Sequence, residues 1–474
     1  MCPQDIHVPP RDEGQLHEDA LRTGKQIDQL GPDDNPTAQV GGEGETIPLD
    51  LLLSGRRTGA EAPPGVVPFD IVDRTGGGQT IVASSQVVVR RDANRDSDVE
   101  LQLNSLGFER SEPTTDAPPV VRLRELVSLY TYTGPEDQRV NNIGEAIEGL
   151  KDVGAARGMM TALHKTIVKS TDGPAPTSVT DDAEFAAAGT RPPAGDLVVA
   201  VIDTGITDEV RVDGWLNEVD RTDSVDELDV FLEHNRLDFA AGHGTFAAGI
   251  VRQVDPDARI RVYRALDTDG VASEVDVADA LMRAADDGAH VINLSLGMLA
   301  VDDLNPCPAL KAAVAEVLGR VDPPAIVASA GNDGGTHRMY PAALNGVVSV
   351  AGLQAVQDPQ STTPPAGAAW STHGSWVVCS AVGEGIVSTF VTGQEDDAFG
   401  DDDVYPRNGQ GDSWAVWTGT SFAAPQIAWL ISATCREQGL KPREAVDVLF
   451  PLGDRPAGDY GFPVVLLPGT ARQP

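Results

Sequence analysis

The stretch Gly419-Thr420-Ser421-Phe422-Ala423-Ala424-Pro425 decides the fold, together with the apolar run Ile427-Ala428-Trp429-Leu430-Ile431 that follows it. Small residues on both sides of one hydroxyl predict a tight turn that leads into a buried helix. Such a turn keeps the Ser421 side chain accessible, and the N–H groups and dipole of the helix start favour a developing negative charge. Taken alone, Ser421 is better explained as the N-cap of a core helix, so other stretches must decide.

Two upstream stretches place an acid and an imidazole in comparable positions. Leu197-Val198-Val199-Ala200-Val201-Ile202 is an unbroken apolar run, typical of a parallel strand covered on both faces, and it ends in Asp203-Thr204-Gly205. Residues just past the carboxyl ends of such strands line the ligand crevice of α/β proteins. In Gly242-His243-Gly244-Thr245, the glycines allow close backbone approach. An acid, an imidazole and a hydroxyl in these contexts predict one catalytic site.

In this order, the motifs around Asp203, His243 and Ser421 resemble the subtilisin-like serine protease family. A fourth block, Val327-Ala328-Ser329-Ala330-Gly331-Asn332-Asp333, resembles the family segment that carries the oxyanion asparagine. The resemblance covers residues 191–450, more than half of the chain. It implies an α/β fold with a mostly parallel sheet and helices on both faces, which agrees with the alternation of predicted strands and helices.

The resemblance also implies a role for each of four side chains in peptide hydrolysis. A serine hydroxyl is a weak nucleophile at neutral pH, so His243 would remove the Ser421 proton as the base. Asp203 would hold the imidazole in the required tautomer without taking the proton. The Asn332 amide and the Ser421 N–H would bind the oxyanion. Without these partners, Asn332 would simply fit a turn.

Substrate-binding segments follow from the same resemblance. Ser295-Leu296-Gly297 and Ser329-Ala330-Gly331 match the two walls of the pocket for the P1 residue, the residue on the amino side of the scissile bond. Met339 is expected towards the base of that pocket, with an apolar P1 preference. Gly270-Val271-Ala272-Ser273 matches a second strand that pairs with the peptide. Extended protein or peptide substrates would then bind by strand addition.

Composition excludes some partners. With 35 Lys and Arg against 72 Asp and Glu, the net charge of −37 argues against nucleic-acid binding. The first residues lack the basic and apolar regions of a secretory signal, and no apolar run is long enough to span a membrane. We therefore expect a cytoplasmic protein without a membrane partner, or one exported by a non-classical route. The cysteines lack zinc-site spacing and are expected to be free thiols: Cys2, Cys307, Cys379 and Cys435.

Four regions are predicted along the chain. Residues 1–78, rich in Asp, Glu, Gly and Pro, predict a largely disordered or loosely attached segment, in which 47–53 is a candidate docking run. Residues 79–169 predict a small α+β domain that resembles the family's ferredoxin-like propeptide, an intramolecular inhibitor; an unrelated partner-binding module would show the same pattern. Residues 170–195 predict a polar linker, with maturation cleavage in or just before it. Residues 196–474 would form the catalytic domain.

Local patterns also predict particular elements. In the N-terminal domain, strands are expected at 80–83, 87–89 and 120–123, with helices ending near Gly107 and running through Ile143 to Leu150. Between Thr389 and Trp417 lies an insertion with two acidic runs, residues 395–397 and 401–403. Such runs are usually solvated loops; calcium is the alternative, because hard cations prefer carboxylate oxygens. The spacing assigns no ligands, and the chemistry itself requires no cofactor.

The sequence thus predicts a subtilisin-like serine endopeptidase, intracellular and made as an inhibited precursor. Two alternatives remain open. One is a dedicated maturation or regulatory protease that acts on a single partner protein. The other is a catalytically silent peptide-binding protein on the same scaffold.

Overall fold

The computed structural model describes residues 66–467 apart from several internal positions. These are 75–78, 112–120, 163–168, 172–195, 223, 232–234, 255–256, 302–305, 357–360, 362, 396–402, 407–410, 453–455 and 457. The predicted docking run at 47–53 and most of the predicted linker therefore lie outside the described residues.

The N-terminal part of the described chain is an α+β unit. Its elements are β1 (Phe69–Asp73), β2 (Gln79–Arg90), α1 (Asp96–Ser105), β3 (Phe108–Ser111), α2 (Val121–Leu126), β4 (Val127–Tyr132), α3 (Arg139–Gly149) and β5 (Ala156–Ala162). The sheet is antiparallel with the order β3-β4-β2-β5, and β1 pairs with β2. Counted from β2, this is the 4-1-3-2 order of a ferredoxin-like βαββαβ unit, as predicted.

Two details of this unit differ from the sequence prediction. Residues 120–123 were expected to form a strand, but α2 begins at Val121 and the strand follows it as β4. Leu123 is buried in an apolar cluster, and Leu126, three residues later, is partly buried against the same cluster, as on one helix face. A four-residue apolar run is too short for its periodicity to distinguish a helix from a strand, because either element can bury such a run.

The second difference concerns the start of the domain. The predicted boundary at residue 79 separates β1 from β2, although the two strands form one hairpin in the register Phe69↔Ala83 to Asp73↔Gln79. An ion-pair cluster fixes this hairpin, because Asp70 Oδ2 lies 2.6 Å from Arg139 Nη1 and 2.9 Å from Arg157 Nη2. The folded unit therefore includes residues that composition alone assigned to a loose segment.

The remaining chain forms a doubly covered α/β domain. Its elements are β6 (Lys169–Thr171), β7 (Val198–Asp203), α4 (His243–Val254), β8 (Arg259–Arg264), β9 (Val271–Ser273), α5 (Glu274–Asp286), β10 (Val291–Leu294), α6 (Pro308–Leu318), β11 (Ala325–Ser329), β12 (Val348–Leu353), β13 (Cys379–Val382), β14 (Ile386–Thr389), β15 (Gly393–Gln394), β16 (Val404–Tyr405), β17 (Trp414–Trp417), α7 (Thr420–Gln438), α8 (Pro442–Leu449) and β18 (Phe462–Val464). The main sheet has the order β18-β13-β12-β11-β10-β7-β8, with parallel pairing throughout this order.

Helices cover both faces of this sheet. Alternate residues of β7 show why: Ile202 joins the apolar cluster of α5 and α6, while Val201 joins that of α4 and α7. The predicted α/β class, with helices on both faces, is confirmed. Among the described residues, no helix is long and apolar enough to cross a membrane.

The N-terminal unit lies against α5 and α6. Val87 and Val89 face α1 and α3, whereas Val88 points the opposite way and shares a cluster with Leu281 and Val314 of the two catalytic-domain helices. The sheet also continues across the boundary, because β5 pairs antiparallel with β9 in the register Met160↔Ser273 to Ala162↔Val271. A short strand beyond it, β6, pairs antiparallel with β17.

Helix α7 is the central buried helix, as predicted. Its first turns contain Pro425, which has no N–H and so cannot donate to the carbonyl of Ser421 four residues earlier. Instead, Ser295 Oγ donates to Ser421 O at 2.6 Å. The proline therefore leaves a main-chain acceptor at the helix start, and this acceptor ties the helix to the end of β10.

We expect Ile427→Ala to lower the free energy of unfolding by about 2–5 kcal/mol, since it removes a side chain with no exposed surface from the α7 core. The matched control is Val448→Ala on α8, whose valine is 54% exposed; it should change stability by less than about 0.5 kcal/mol. Urea unfolding in a Ser421→Ala background measures both. Equal losses in the two variants would contradict the central role of α7.

Candidate active site

The acid and the imidazole predicted from sequence meet at the carboxyl end of the parallel sheet. Asp203 is the last residue of β7, and His243 is the first residue of α4. His243 Nδ1 lies 2.7 Å from Asp203 Oδ1, which also accepts a hydrogen bond from Thr204 N at 2.8 Å. Both side chains are buried, so water does not screen their interaction.

Ser421 lies in the first turn of α7, directly before a residue that contacts the imidazole. The ring of the next residue, Phe422, is 5.3 Å from the His243 ring between centroids, and Trp417 approaches the same imidazole edge-on at 5.2 Å. Ser421 Oγ donates to Ser295 O at 3.2 Å. Within the described residues it makes no hydrogen bond to His243.

The side-chain oxygen of Asn332 is held by the serine turn. Its Oδ1 accepts hydrogen bonds from both the main-chain N and Oγ1 of Thr420, each at 2.8 Å. Because Thr420 N can only donate, the oxygen of Asn332 must face it. The Nδ2 atom then lies 3.3 Å from where a Cβ at residue 419 would stand, which is a close contact.

Behind the acid and the imidazole lies a hydrogen-bond network that the sequence analysis missed. Asp226 Oδ2 accepts from Thr204 Oγ1 at 2.8 Å and from Gly242 N at 2.9 Å, and Thr204 Oγ1 in turn accepts from Gly244 N at 3.1 Å. The network joins the backbone after Asp203 to the backbone around His243. Asp226 belongs to an irregular loop and carried no sequence signal, whereas Thr204 adjoins the predicted acid.

The glycines around His243 act as the sequence analysis predicted. A Cβ on Gly244 would collide with the main-chain oxygen of Gly205, and Gly242 has a positive φ of 80°. Both positions therefore require glycine, one for close approach and the other for its backbone conformation.

The predicted substrate segments lie next to one another. Ser295, Leu296 and Gly297 follow β10, and Ser329, Ala330 and Gly331 end the neighbouring strand β11 or follow it. Ser329 Oγ donates to Leu296 O at 3.3 Å, which links the two segments. Gly270, with a φ of 81°, turns the chain into β9.

Part of this surface is occupied by the N-terminal unit. β9, predicted to pair with a peptide, pairs with β5, and Thr161 Oγ1 donates to Gly297 O at 2.8 Å. Glu274, the first residue of α5, accepts from Met159 N at 3.1 Å and from Ala309 N at 2.9 Å. Burial raises the pKa of Glu274 to about 7, against the opposing effect of these N–H donors.

No cluster of three or more His, Cys, Asp or Glu side chains in the described part of the chain could hold a metal ion. The two acidic runs of the insertion fall largely at residues 396–402, which the structure does not describe. Calcium binding by this insertion stays a prediction.

Fold and geometry together define an α/β protein that carries an Asp–His pair and a serine at the carboxyl end of its sheet. The sequence model of the Subtilase family matches residues 195–448, and the chain belongs to this family.

Similar proteins agree with this assignment. The chain is 31% identical over 262 residues to the thermophilic serine proteinase of Bacillus sp. strain AK1, an alignment that covers 52% of the chain and 55% of that relative. Thermitase of Thermoactinomyces vulgaris is 32% identical over 197 residues, 40% of the chain and 58% of thermitase. The chain thus spans little more than half the length of these relatives.

One solved structure shares the fold over a longer stretch. The epidermin leader peptide processing serine protease of Staphylococcus aureus superposes with a TM-score of 0.52 at 17% identity, covering 81% of the chain and 97% of that protein. Residues 195–474 make up less than 81% of the chain, so the superposition also includes part of the N-terminal unit.

Asp226 predicts a pH dependence of stability. Burial raises its pKa to about 6, well above the value near 3.9 of an unfolded aspartate. Between these values the folded state binds more protons than the unfolded state, so stability falls as the pH rises. Asparagine cannot titrate, so we expect Asp226→Asn to lack this fall in stability. The free energy of unfolding of the variant minus that of the parent should therefore rise by about 2 kcal/mol between pH 4.5 and pH 7.

Urea unfolding in the Ser421→Ala background measures this difference at each pH. Val448→Ala, which changes an exposed side chain of α8 without a titratable group, is the control and should give a difference that is independent of pH. A flat difference for Asp226→Asn would show that Asp226 does not titrate in this range.

Proposed function

We propose that the protein is a serine endopeptidase that uses Asp203, His243, Ser421 and Asn332. The observation that carries the proposal is the buried 2.7 Å contact between His243 Nδ1 and Asp203 Oδ1, beside a serine at the start of a buried helix. A structural histidine would need neither the aspartate nor the neighbouring serine.

In the proposed mechanism, the Asp203 carboxylate holds the proton of His243 on Nδ1, so that Nε2 is the basic nitrogen. After rotation of its hydroxyl, Ser421 attacks the peptide carbonyl while Nε2 takes the proton and later delivers it to the leaving amine. The tetrahedral oxyanion receives hydrogen bonds from Asn332 Nδ2 and from Ser421 N. The latter makes no hydrogen bond within the described residues.

Thr420 supports this arrangement from behind. It holds Asn332 Oδ1 with two donors, and its Oγ1 also accepts from Gly331 N at 3.1 Å. A donor that is held in place before the reaction does not have to reorganise as charge develops, which is the basis of oxyanion stabilisation.

A fluorophosphonate probe and a peptide library test the activity. We expect the wild-type protein to label at Ser421 and to cleave peptides, Ser421→Ala to do neither, and Asn332→Ala to lose about 10²–10³ in kcat because it removes one oxyanion donor. Thr434→Ala, on α7 but away from the cleft, is the control for helix integrity. Peptide hydrolysis that persists in Ser421→Ala would contradict the mechanism, as would a wild-type protein that labels but cleaves no peptide.

We further propose that the N-terminal unit inhibits this site in a precursor. Its support is that β5 uses the same groups as an extended substrate would, namely the edge of β9 and the carbonyl of Gly297. Thr80 Oγ1 continues the contact by donating to Leu299 O at 2.6 Å. The apolar cluster shared with α5 and α6 would hold the unit in place.

The path of the chain indicates where such a precursor would be cut. Ala162 ends the pairing with β9, and Lys169 begins the pairing with β17, the strand that leads to Ser421. Residues 163–168 connect β5 and β6 in sequence, and we propose that the cut falls within them. This segment is shorter than the linker predicted at residues 170–195.

We expect purified wild-type protein to contain a shorter species with a new N-terminus between residues 163 and 169, and Ser421→Ala to remain full length, because the cut requires the protein's own serine. Intact mass and N-terminal sequencing measure both. A new N-terminus beyond residue 171 would contradict this cleavage site, and a fully active, uncut wild-type chain would contradict inhibition.

A further inference from the structure

The position of the scissile peptide fixes where one substrate side chain must go. The attacked carbonyl carbon has to lie near Ser421 Oγ with its oxygen towards Asn332 Nδ2. Ser421 Oγ contacts Ser295 O, and Asn332 directly follows Gly331. The side chain next to the attacked carbonyl therefore enters the gap between the segment 295–297 and the segment 329–331.

In this protein that gap is filled by the side chain of Met339. A Cβ built on Gly297 would stand 3.1 Å from Met339 Cε, and one built on Gly331 would stand 2.9 Å from Met339 Cγ. The methionine thus contacts both walls at once, and its exposed fraction is only 1%. A methyl group on either wall would therefore press against the methionine side chain.

The backbone holds Met339 at this place. The next residue, Tyr340, forms an isolated antiparallel bridge with Met298, with N–O distances of 2.8 and 2.9 Å. Met298 directly follows the Gly297 wall, so the bridge fixes the methionine backbone against it. Only the flexible thioether side chain can move.

We propose that Met339 closes the P1 pocket, so that the protein cleaves after small residues such as glycine, alanine and serine. This inference rests on the proposed endopeptidase function. It replaces the broader apolar preference expected from sequence, because a leucine or phenylalanine side chain would have to displace Met339 from contacts with both walls.

The test compares otherwise identical peptides with alanine, leucine or phenylalanine at P1. We expect wild-type kcat/KM to be at least tenfold higher for alanine than for phenylalanine, and Met339→Gly to raise the phenylalanine-to-alanine ratio at least tenfold, since differences of a few methylene groups in a pocket have effects of this size. Met282→Ala, buried in α5, is the matched control and should leave the ratio unchanged.

The outcomes separate the inference from the proposed function. Wild-type protein that labels with the fluorophosphonate and cleaves phenylalanine as well as alanine peptides would overturn the role of Met339, as would an unchanged ratio in Met339→Gly. Failure to label and cleave would overturn the endopeptidase assignment itself. If Met339→Gly does not fold, the wild-type preference between alanine and phenylalanine still decides the inference.

Discussion

The hydrogen bond from Ser295 Oγ to Ser421 O joins the two parts of the fold that the site requires. It exists because Pro425 supplies no donor to the first turn of α7, which leaves the serine carbonyl for a partner outside the helix. Asn293 Nδ2 donates to the same Ser295 Oγ at 2.9 Å, so the bond continues into β10. The serine turn is thereby attached to the sheet whose neighbouring strand carries Asp203.

The N-terminal unit binds to the catalytic domain through a strand edge and a buried carboxylate. Its strand β5 extends the β9 edge, and Met159 N shares the Glu274 carboxylate with the N-terminus of α6. An unpaired strand edge and an unpaired buried carboxylate are both unfavourable. A protein segment or an extended peptide can satisfy the edge, whereas only the unit described here brings Met159 to Glu274. If the unit acts as the proposed inhibitor, its contact with Glu274 is one that an extended peptide substrate would not make.

Much of the site could be predicted because its signals are local. Asp203 ends an apolar strand, and the glycines flanking His243 reflect a collision and a positive φ that the structure shows. The prediction of a strand at residues 120–123 was wrong, because a short apolar run fits a helix equally well. Asp226 could not be found, since its contacts to Thr204 and Gly242 bridge loops that are distant in sequence. The contacts of Met339 likewise involve two segments that follow different strands.

The orientation of the Ser421 hydroxyl bears on the proposed mechanism. The Asp203–His243 contact is already formed, while the serine hydroxyl donates to Ser295 O. Breaking one neutral hydrogen bond of this kind costs about 1 kcal/mol net. In the proposed mechanism the hydroxyl has to leave Ser295 O, while the hydrogen bonds between Asn332 and Thr420 are already formed. The serine side chain is then the group that has to reorient before attack.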